Sequence, residues 1–357
     1  MSTSGITTIE DLGFNDFFES GRKNLGFSEY SVARVTAEYR EAYTVRNVHG
    51  EYFAKITGKN MYTAVDREDY PAVGDWVAIT ELEQNKAIIR GILPRISILK
   101  RKYSNKQDNQ IIATNIDTAF ITESMDRDYN LNRLERFLVL TEEGKITPLI
   151  ILNKIDLISE DELNFRVNQI QNRFHTSDII STSIVTKRGL ADLEKLIIRG
   201  KTYCFIGSSG VGKSSLINKL LGQDEIKTRE ISVSIERGKH TTTTREIYFL
   251  ENGGVLIDNP GTREVGIASS DKGLENVFDE ISRLSQNCRF SDCSHTNEPG
   301  CAVLNALKEK VLDEDKYENY LKLKKESDYF KMTELEKRDK DRKFGKFVKK
   351  ALQELKS

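Results

Sequence analysis

The sequence lacks most of what would announce a partner or a compartment. It has almost no net charge: 54 lysines and arginines stand against 55 aspartates and glutamates, a balance of −1. No global field therefore draws the chain to nucleic acid, and any such binding must come from local patches. No apolar run approaches the roughly 20 residues of a membrane-spanning helix, so no membrane partner is expected. The opening Met1-Ser2-Thr3-Ser4-Gly5 has neither the basic nor the apolar region of a secretory leader, and a cytoplasmic protein is expected. Only four cysteines and one tryptophan occur. Three of those cysteines, Cys288, Cys293 and Cys301, crowd around His295, which suits a cytosolic metal site better than a disulfide framework. Cys204 stands apart and is expected to be a small buried apolar residue.

What is present is a chain of 357 residues, 38% hydrophobic and 31% charged, long enough for two or three domains with a real core. Residues 1–27 form a polar lead-in in which Phe14, Phe17 and Phe18 offer a small apolar face. From Ser31 the texture is β: short runs around Val35, Val45, Phe53, Trp76–Ile79 and Ala87–Ile92 are broken by turn residues such as His49-Gly50. Four or five such strands in about 70 residues predict a small closed barrel of the OB type. Barrels of that kind bind RNA or serve only for packing, and pattern alone leaves both open. The basic run Lys100-Arg101-Lys102 just beyond it reads as a solvated linker or an RNA contact.

After Asn115, strands and helices alternate, the pattern of an α/β domain with a mostly parallel sheet. Strands are predicted at 118–122, 147–152, 178–181, 203–206, 246–250 and 254–257, with helices at 131–142, from Ser159, at 190–198 and from Ser215. Four motifs sit beside these strands. Gly207-Ser208-Ser209-Gly210-Val211-Gly212-Lys213-Ser214, followed by Ser215 and a helix, is the strand, glycine turn and helix start of a phosphate-binding loop. There Lys213 would reach the β- and γ-phosphates, and the Ser214 hydroxyl would ligate Mg²⁺. Asn153-Lys154-Ile155-Asp156 ends another strand. The Asp156 carboxylate can accept from the N1–H and 2-amino group of guanine, donors that adenine does not present there, with Asn153 and Lys154 bracing the loop and the base plane. His240-Thr241-Thr242-Thr243-Thr244 precedes a strand, and Thr242 or Thr243 is placed to complete the Mg²⁺ shell. Asp258-Asn259-Pro260-Gly261 ends a strand, supplying the Asp258 carboxylate to the Mg²⁺ shell and the Gly261 N–H to the γ-phosphate. Together they predict a GTP- and GDP-binding domain.

The order of the motifs is inverted relative to ordinary small GTPases. The guanine reader comes before the phosphate loop, and Asp258–Gly261 comes last, as in a circularly permuted domain whose original termini have been joined. The Cys288-x4-Cys293-x-His295-x5-Cys301 set suits one structural, tetrahedral Zn²⁺ with no open coordination position. His49 and His175 have no partners in view and read as ordinary surface or turn residues. Beyond Val303 the chain is helical and highly charged, and residues 337–350 carry Lys337, Arg338, Lys340, Arg342, Lys343, Lys346, Lys349 and Lys350.

The barrel, the permuted motifs, Gly238–Thr243, Asp258–Gly261 and the stretch Cys293-Ser294-His295-Thr296-Asn297-Glu298-Pro299-Gly300-Cys301 resemble the circularly permuted bacterial GTPases of the RsgA (YjeQ) family over nearly the whole chain. The expected fold is multi-domain: a lead-in and N-terminal OB-like β-barrel over 1–105, a central α/β circularly permuted P-loop GTPase domain over 106–270, and a C-terminal zinc-binding helical domain with a basic tail over 271–357. The resemblance implies a GTPase that assists late maturation of the small ribosomal subunit and is stimulated by it. It also implies the subunit and its rRNA as partners, other assembly factors alongside, a monomeric protein and a phosphate-contacting tail. The competing reading is an RNA-binding scaffold with a structural GDP or GTP site and no significant turnover. An ATP-dependent P-loop enzyme is the weaker rival. The residue after Gly261 is Thr262, where many GTPases carry a water-orienting Gln and this family a hydrophobic side chain, so slow intrinsic hydrolysis is expected. His240 is the candidate to complete the catalytic site, beside Lys213, when a partner orders the segment.

Overall fold

The computed structural model describes residues 6–39, 42–57, 67–102, 109–126, 129–174, 178–222, 246–258 and 271–333, with 336, 339 and 342. The chain forms two compact units, Met1–Val265 and Gly266–Ser357.

In the first unit, helix α1 (Asp16–Asn24) is capped by Asn15, whose side chain accepts from Phe17 N. The expected apolar face of the lead-in is narrower than the three phenylalanines suggest. Phe14 and Phe18 pack on Trp76 with Leu12, Val32 and Leu93, whereas Phe17 remains 46% exposed, because one turn of helix cannot present adjacent residues to the same surface. Strands β1 (Ser31–Glu38), β2 (Tyr43–Asn47), β3 (Gly50–Ile56), β4 (Trp76–Leu82) and β5 (Lys86–Ile92) pair in the order β1-β2-β3-β5-β4 and close through β1–β4. All contacts are antiparallel except β3–β5. Alternate residues turn inward, as the period-two pattern requires, and Val35, Val45, Tyr52, Ala54, Val77, Ile79 and Ile89 fill the interior. Closure leaves no bare edge within the barrel itself.

The basic run lies in a hairpin, β6 (Ile98–Lys102) with β7 (Asn109–Thr114), rather than in a linker. Leu99 is buried beneath it with Ile111, Ile112 and Ala113, and Lys100 Nζ lies 2.7 Å from both oxygens of Glu68. The apolar residues flanking the charges decide the conformation. Asp75 secures this hairpin to the barrel: its carboxylate accepts from Arg95 Nε and Nη2 at 2.8 and 2.6 Å, Thr114 Oγ1 at 2.7 Å and Ala72 N at 2.8 Å.

The α/β region follows with β8 (Thr118–Ser124), α2 (Leu131–Glu143), β9 (Thr147–Asn153), α3 (Glu160–Arg173), β10 (Asp178–Thr182), α4 (Leu190–Lys195), β11 (Thr202–Ile206), α5 (Lys213–Leu221), β12 (Glu246–Phe249) and β13 (Val255–Asp258). Ser159 caps α3 by accepting from Glu162 N, as the spacing of the two residues suggests. The strand order is β10-β9-β8-β11-β13-β12, parallel throughout except that β12 runs antiparallel to β13. Phe120, Tyr203, Phe205, Ile151, Leu216 and Ile217 form its core, each apolar side chain contributing about 1.5–3 kcal/mol by leaving water. Successive strands β8, β9 and β10 build to one side, and β11 returns to the other side of β8. That reversal opens a crevice at the carboxyl ends of the strands, where open α/β sheets take their ligands. Cys204 is wholly buried in β11, and burial pushes its thiol up to about 12. His49 lies in the β2–β3 turn, its N–H on Asn47 Oδ1, while His175 is outside the described residues.

The second unit has helices α6 (Asp271–Val277), α7 (Asp279–Ser285), α8 (Ala302–Lys308) and α9 (Glu314–Lys331). They enclose Leu274, Phe278, Ile281, Val303, Ala306 and Leu323. Among the described residues no helix is long and apolar enough to cross a membrane. Of the basic residues at 337–350 only Arg342 is described, pairing with Asp339.

Candidate nucleotide and metal sites

The glycine loop 207–212 leaves β11 and enters α5 at the crevice. Gly207, Gly210 and Gly212 take φ of 147°, 82° and 96°, a region that favours glycine. Two of these positions also exclude a side chain by contact. A Cβ at Gly207 would lie 2.3 Å from Thr122 O, and one at Gly212 would lie 2.3 Å from Asn153 Nδ2. The loop is thus a cradle pressed on its neighbours, and its fit to a phosphate comes from its backbone N–H groups and the N-terminus of α5. Lys213 Nζ donates to Gly207 O at 2.7 Å and Ser208 O at 2.5 Å, stationing the ammonium across the loop. Ser214 and Ser215 follow on the first turn of α5, both half-buried.

On the other side of the crevice, the register sets Ser124, Asn153 and Thr182 in one row across β8, β9 and β10. Asn153 is fully engaged: Nδ2 donates to Val211 O at 2.8 Å, and Oδ1 accepts from Thr182 Oγ1 at 3.1 Å. It therefore ties the Asn153–Asp156 turn to the glycine loop. Lys154 adopts a left-handed conformation, φ 61°, and its Nζ lies 2.9 Å from Asp126 Oδ2. Asp156 Oδ1 accepts from Ser183 Oγ, which in turn accepts from Thr186 N at 3.1 Å. Asp258 is half-buried at the end of β13, one residue beyond the Cys204–Ile257 pair that sets β13 beside β11. The structure thus gathers Asn153, Lys154, Asp156, Gly207–Ser215 and Asp258 at one sheet edge. His240, Thr242, Thr243, Gly261 and Thr262 lie outside the described residues. Ser183 and Asp126 escaped the sequence reading. The available signal was positional: each follows a strand adjacent to β9, so the chain leaves the sheet there beside Asn153-Lys154-Ile155-Asp156.

In the second unit the ligand atoms of Cys288, Cys293, His295 and Cys301 all lie within 4.8 Å of one another. Cys288 Sγ is 3.6 Å from His295 Nδ1 and 3.9 Å from Cys301 Sγ, and Cys301 Sγ is 3.5 Å from the same Nδ1. A tetrahedral ion with bonds of about 2.3 Å to sulfur needs edges of about 3.8 Å, so the set fits a closed four-ligand metal site. Burial, then the Lys324 charge, lowers the His295 imidazole below its ordinary value, favouring the neutral ligand form. The supporting contacts are local. Cys301 Sγ caps α8 by accepting from Leu304 N, Tyr317 Oη donates to His295 O at 2.6 Å, and Glu298 accepts from the N–H groups of Ser294, Thr296 and Asn297. The Ser294 hydroxyl, which also donates to Glu298, and then the Ser294 and Asn297 N–H groups hold the Glu298 carboxyl at about 2.

Comparisons agree with this geometry. The family model described as RsgA GTPase matches residues 92–268. The chain is 39% identical over 338 residues, 94% of each chain, to the small ribosomal subunit biogenesis GTPase RsgA 1 of Bacteroides thetaiotaomicron. It is 41% identical over 298 residues, 84% of each, to RsgA 2 of Lactiplantibacillus plantarum. Among solved structures, YjeQ from Thermotoga maritima aligns with a TM-score of 0.61 at 26% identity, covering 83% of this chain and 98% of that one. YloQ, a circularly permuted GTPase, aligns at 0.59 with 21% identity over 85% and 96% and supports the fold.

Proposed function

The chain belongs to the RsgA GTPase family and is a GTP hydrolase, and on that premise we propose that it acts in small ribosomal subunit biogenesis, docking on the immature particle with GTP and leaving after hydrolysis. The observation that carries the reading is the single rim shared by the glycine cradle and Asp156, joined by the Asn153 to Val211 bond of 2.8 Å. One ligand carrying both a polyphosphate and a guanine would satisfy both ends. In this reading the loop N–H groups and Lys213 bind the phosphates, and Asp156, steadied by Ser183, accepts from guanine. Asn153 and Lys154 brace the base-reading turn. Ser214 and Asp258, with Thr242 or Thr243, hold the Mg²⁺ that comes with the family, which supplies charge neutralisation at the phosphates when bound. Gly261 contributes an N–H to the γ-phosphate, and His240 orients the attacking water when the subunit is bound. Zn²⁺ holds the Cys288, Cys293, His295 and Cys301 unit together. The protein works in the cytoplasm as a monomer, alongside other assembly factors, with its 337–350 segment on rRNA phosphates.

The test is GTP turnover by the full chain with and without purified immature small subunits. The expected result is slow turnover alone and at least about ten-fold stimulation, with little competition from ATP and loss of the stimulation in His240→Ala. Equal rates in both conditions would overturn the proposed dependence, and absence of turnover in both would favour an RNA-binding scaffold. Unchanged stimulated turnover in His240→Ala would remove that residue from the mechanism.

A further inference from the structure

Arg133 belongs to none of the four motifs, yet it reaches the phosphate loop. It lies in the first turn of α2, and its Nη1 donates to Ser208 Oγ at 2.7 Å across 75 residues of sequence. Its guanidinium is also 3.8 Å from Glu123 Oε1, a carboxylate with no exposed surface at the end of β8. Glu123 Oε1 in turn accepts from Asn130 N at 3.2 Å, and Asn130 caps α2 by accepting from Arg133 N. The arginine therefore rises from a helix start that is fixed by its own cap and oriented by a buried charge.

Ser208 receives two cations. Arg133 holds its hydroxyl, and Lys213 Nζ holds its carbonyl at 2.5 Å. The peptide between Ser208 and Ser209 is planar, so fixing the Ser208 carbonyl also fixes the direction of the Ser209 N–H on its far side. Ser208 and Ser209 are the adjacent non-glycine residues between Gly207 and Gly210, where glycine φ values of 147° and 82° leave the backbone permissive. A loop of this kind binds anions well only if its N–H groups converge before the ligand arrives. Asn153 supplies one tether, at Val211. The one at Ser208 comes from Arg133.

We infer that Arg133 is a positioning residue for guanine-nucleotide binding, presetting the first half of the phosphate loop through Ser208 and screening the buried Glu123 charge from the polyphosphate. This rests on the reading of Gly207–Ser214 as the phosphate cradle. It assigns to α2 a part in nucleotide affinity that the motif residues do not supply.

The test is a double-mutant cycle on the full-length protein, reading the affinities of fluorescent GDP and GTP analogues by titration. Ser208→Ala is expected to weaken binding about ten-fold, the scale of one charge-assisted hydrogen bond, and Arg133→Ala by more, because it also uncovers the Glu123 charge. The double variant should be no worse than Arg133→Ala, since both remove the same contact. Glu123→Gln in the Arg133→Ala background should recover part of the loss. The nucleotide-free melting temperature is followed in parallel. Unchanged affinity in Arg133→Ala, additive losses in the double variant, or a lower nucleotide-free melting temperature with an unchanged shift on adding GTP would each overturn the inference. Should Arg133→Ala fail to fold, Ser208→Ala alone decides it, because it breaks the same bond without exposing Glu123. Lys213→Ala serves as the reference: if it binds both nucleotides normally, the cradle reading fails, whereas normal Arg133→Ala binding beside a dead Lys213→Ala defeats only the role of Arg133.

Discussion

Replacing Arg34 with Met should destabilise the first unit by about 3–5 kcal/mol, the range for breaking a buried charged network from one side. Arg34 is 1% exposed and donates to Leu12 O at 2.6 Å, Thr202 Oγ1 at 2.9 Å, Asn115 O at 3.2 Å and Gly74 O at 3.4 Å. Its guanidinium lies 5.8 Å from the centre of the Trp76 ring. Burial lowers it to about 10, opposed by the Asp117 and Asp75 charges, so it stays charged at neutral pH. Met replaces its aliphatic stem and removes the cost of burying the charge. Three of the four acceptors, however, are main-chain carbonyls; Gly74 O keeps Asn115 Nδ2 as a donor at 3.0 Å, but Leu12 O and Asn115 O lose the arginine, and each buried group left without a donor costs about 1–3 kcal/mol. Their loss outweighs the relief. The assay is urea unfolding followed by the fluorescence of Trp76, the sole tryptophan, which reports the unit containing Arg34. A midpoint lower by about 1–2 M is expected from the usual dependence on urea. A shift under about 0.3 M would refute the reasoning. If the variant does not accumulate folded, Thr202→Val, which removes one acceptor, should lower the midpoint by the share of a single bond.

Three further outcomes follow from the same contacts. Gly212→Ala places a Cβ 2.3 Å from Asn153 Nδ2 at a φ of +96°, so it should reduce GDP and GTP affinity at least about 100-fold, whereas Gly210→Ala, which adds backbone strain at a φ of +82° but meets no atom within 4 Å, should lose less in the same titration. Metal analysis should return one zinc per chain, and Cys301→Ser, which removes a thiolate ligand but leaves a hydroxyl able to cap α8, should abolish it and reduce the helical circular dichroism through loss of the metal, as should a strong chelator. Arg199 beside Asp11, at 2.6 Å, holds that carboxyl well below the usual range; its contribution is present above about pH 4 and fades as pH falls through the depressed folded value. The stability gap between wild type and Asp11→Asn should therefore be open at pH 7 and close progressively below pH 4 in denaturant titrations.

What the sequence made legible is chemistry set by short spacing. The phosphate loop, the Asn-Lys-x-Asp turn and the Cys/His cluster are each defined by neighbours a few residues apart, and strand periodicity disclosed the barrel and the alternating sheet. What it hid are partners brought together by topology. Arg34 meets Thr202 across 168 residues, Arg133 meets Ser208 across 75 and Ser183 meets Asp156 across 27. No local pattern marks a buried arginine whose acceptors are carbonyls, because any residue could supply them. The hairpin β6–β7 was hidden differently. Its charges read as solvated chain, yet Leu99, Ile111, Ile112 and Ala113 of the same two strands are buried, and that burial outweighed the polarity of the run.

The permuted order gains a mechanical meaning at β12. Glu246 follows directly on the threonine-rich stretch, and it pairs at once with Ala37 of the barrel and with Asp258 at the end of β13. Arg46 of β2 adds a contact, its guanidinium 5.0 Å from the centre of the Phe249 ring. A one-residue slip of β12 would turn every side chain to the opposite face and break both pairings, so the strand is held mainly by β13 and is tied to the barrel through Glu246. The barrel and the sheet share an anchored strand rather than a free linker there.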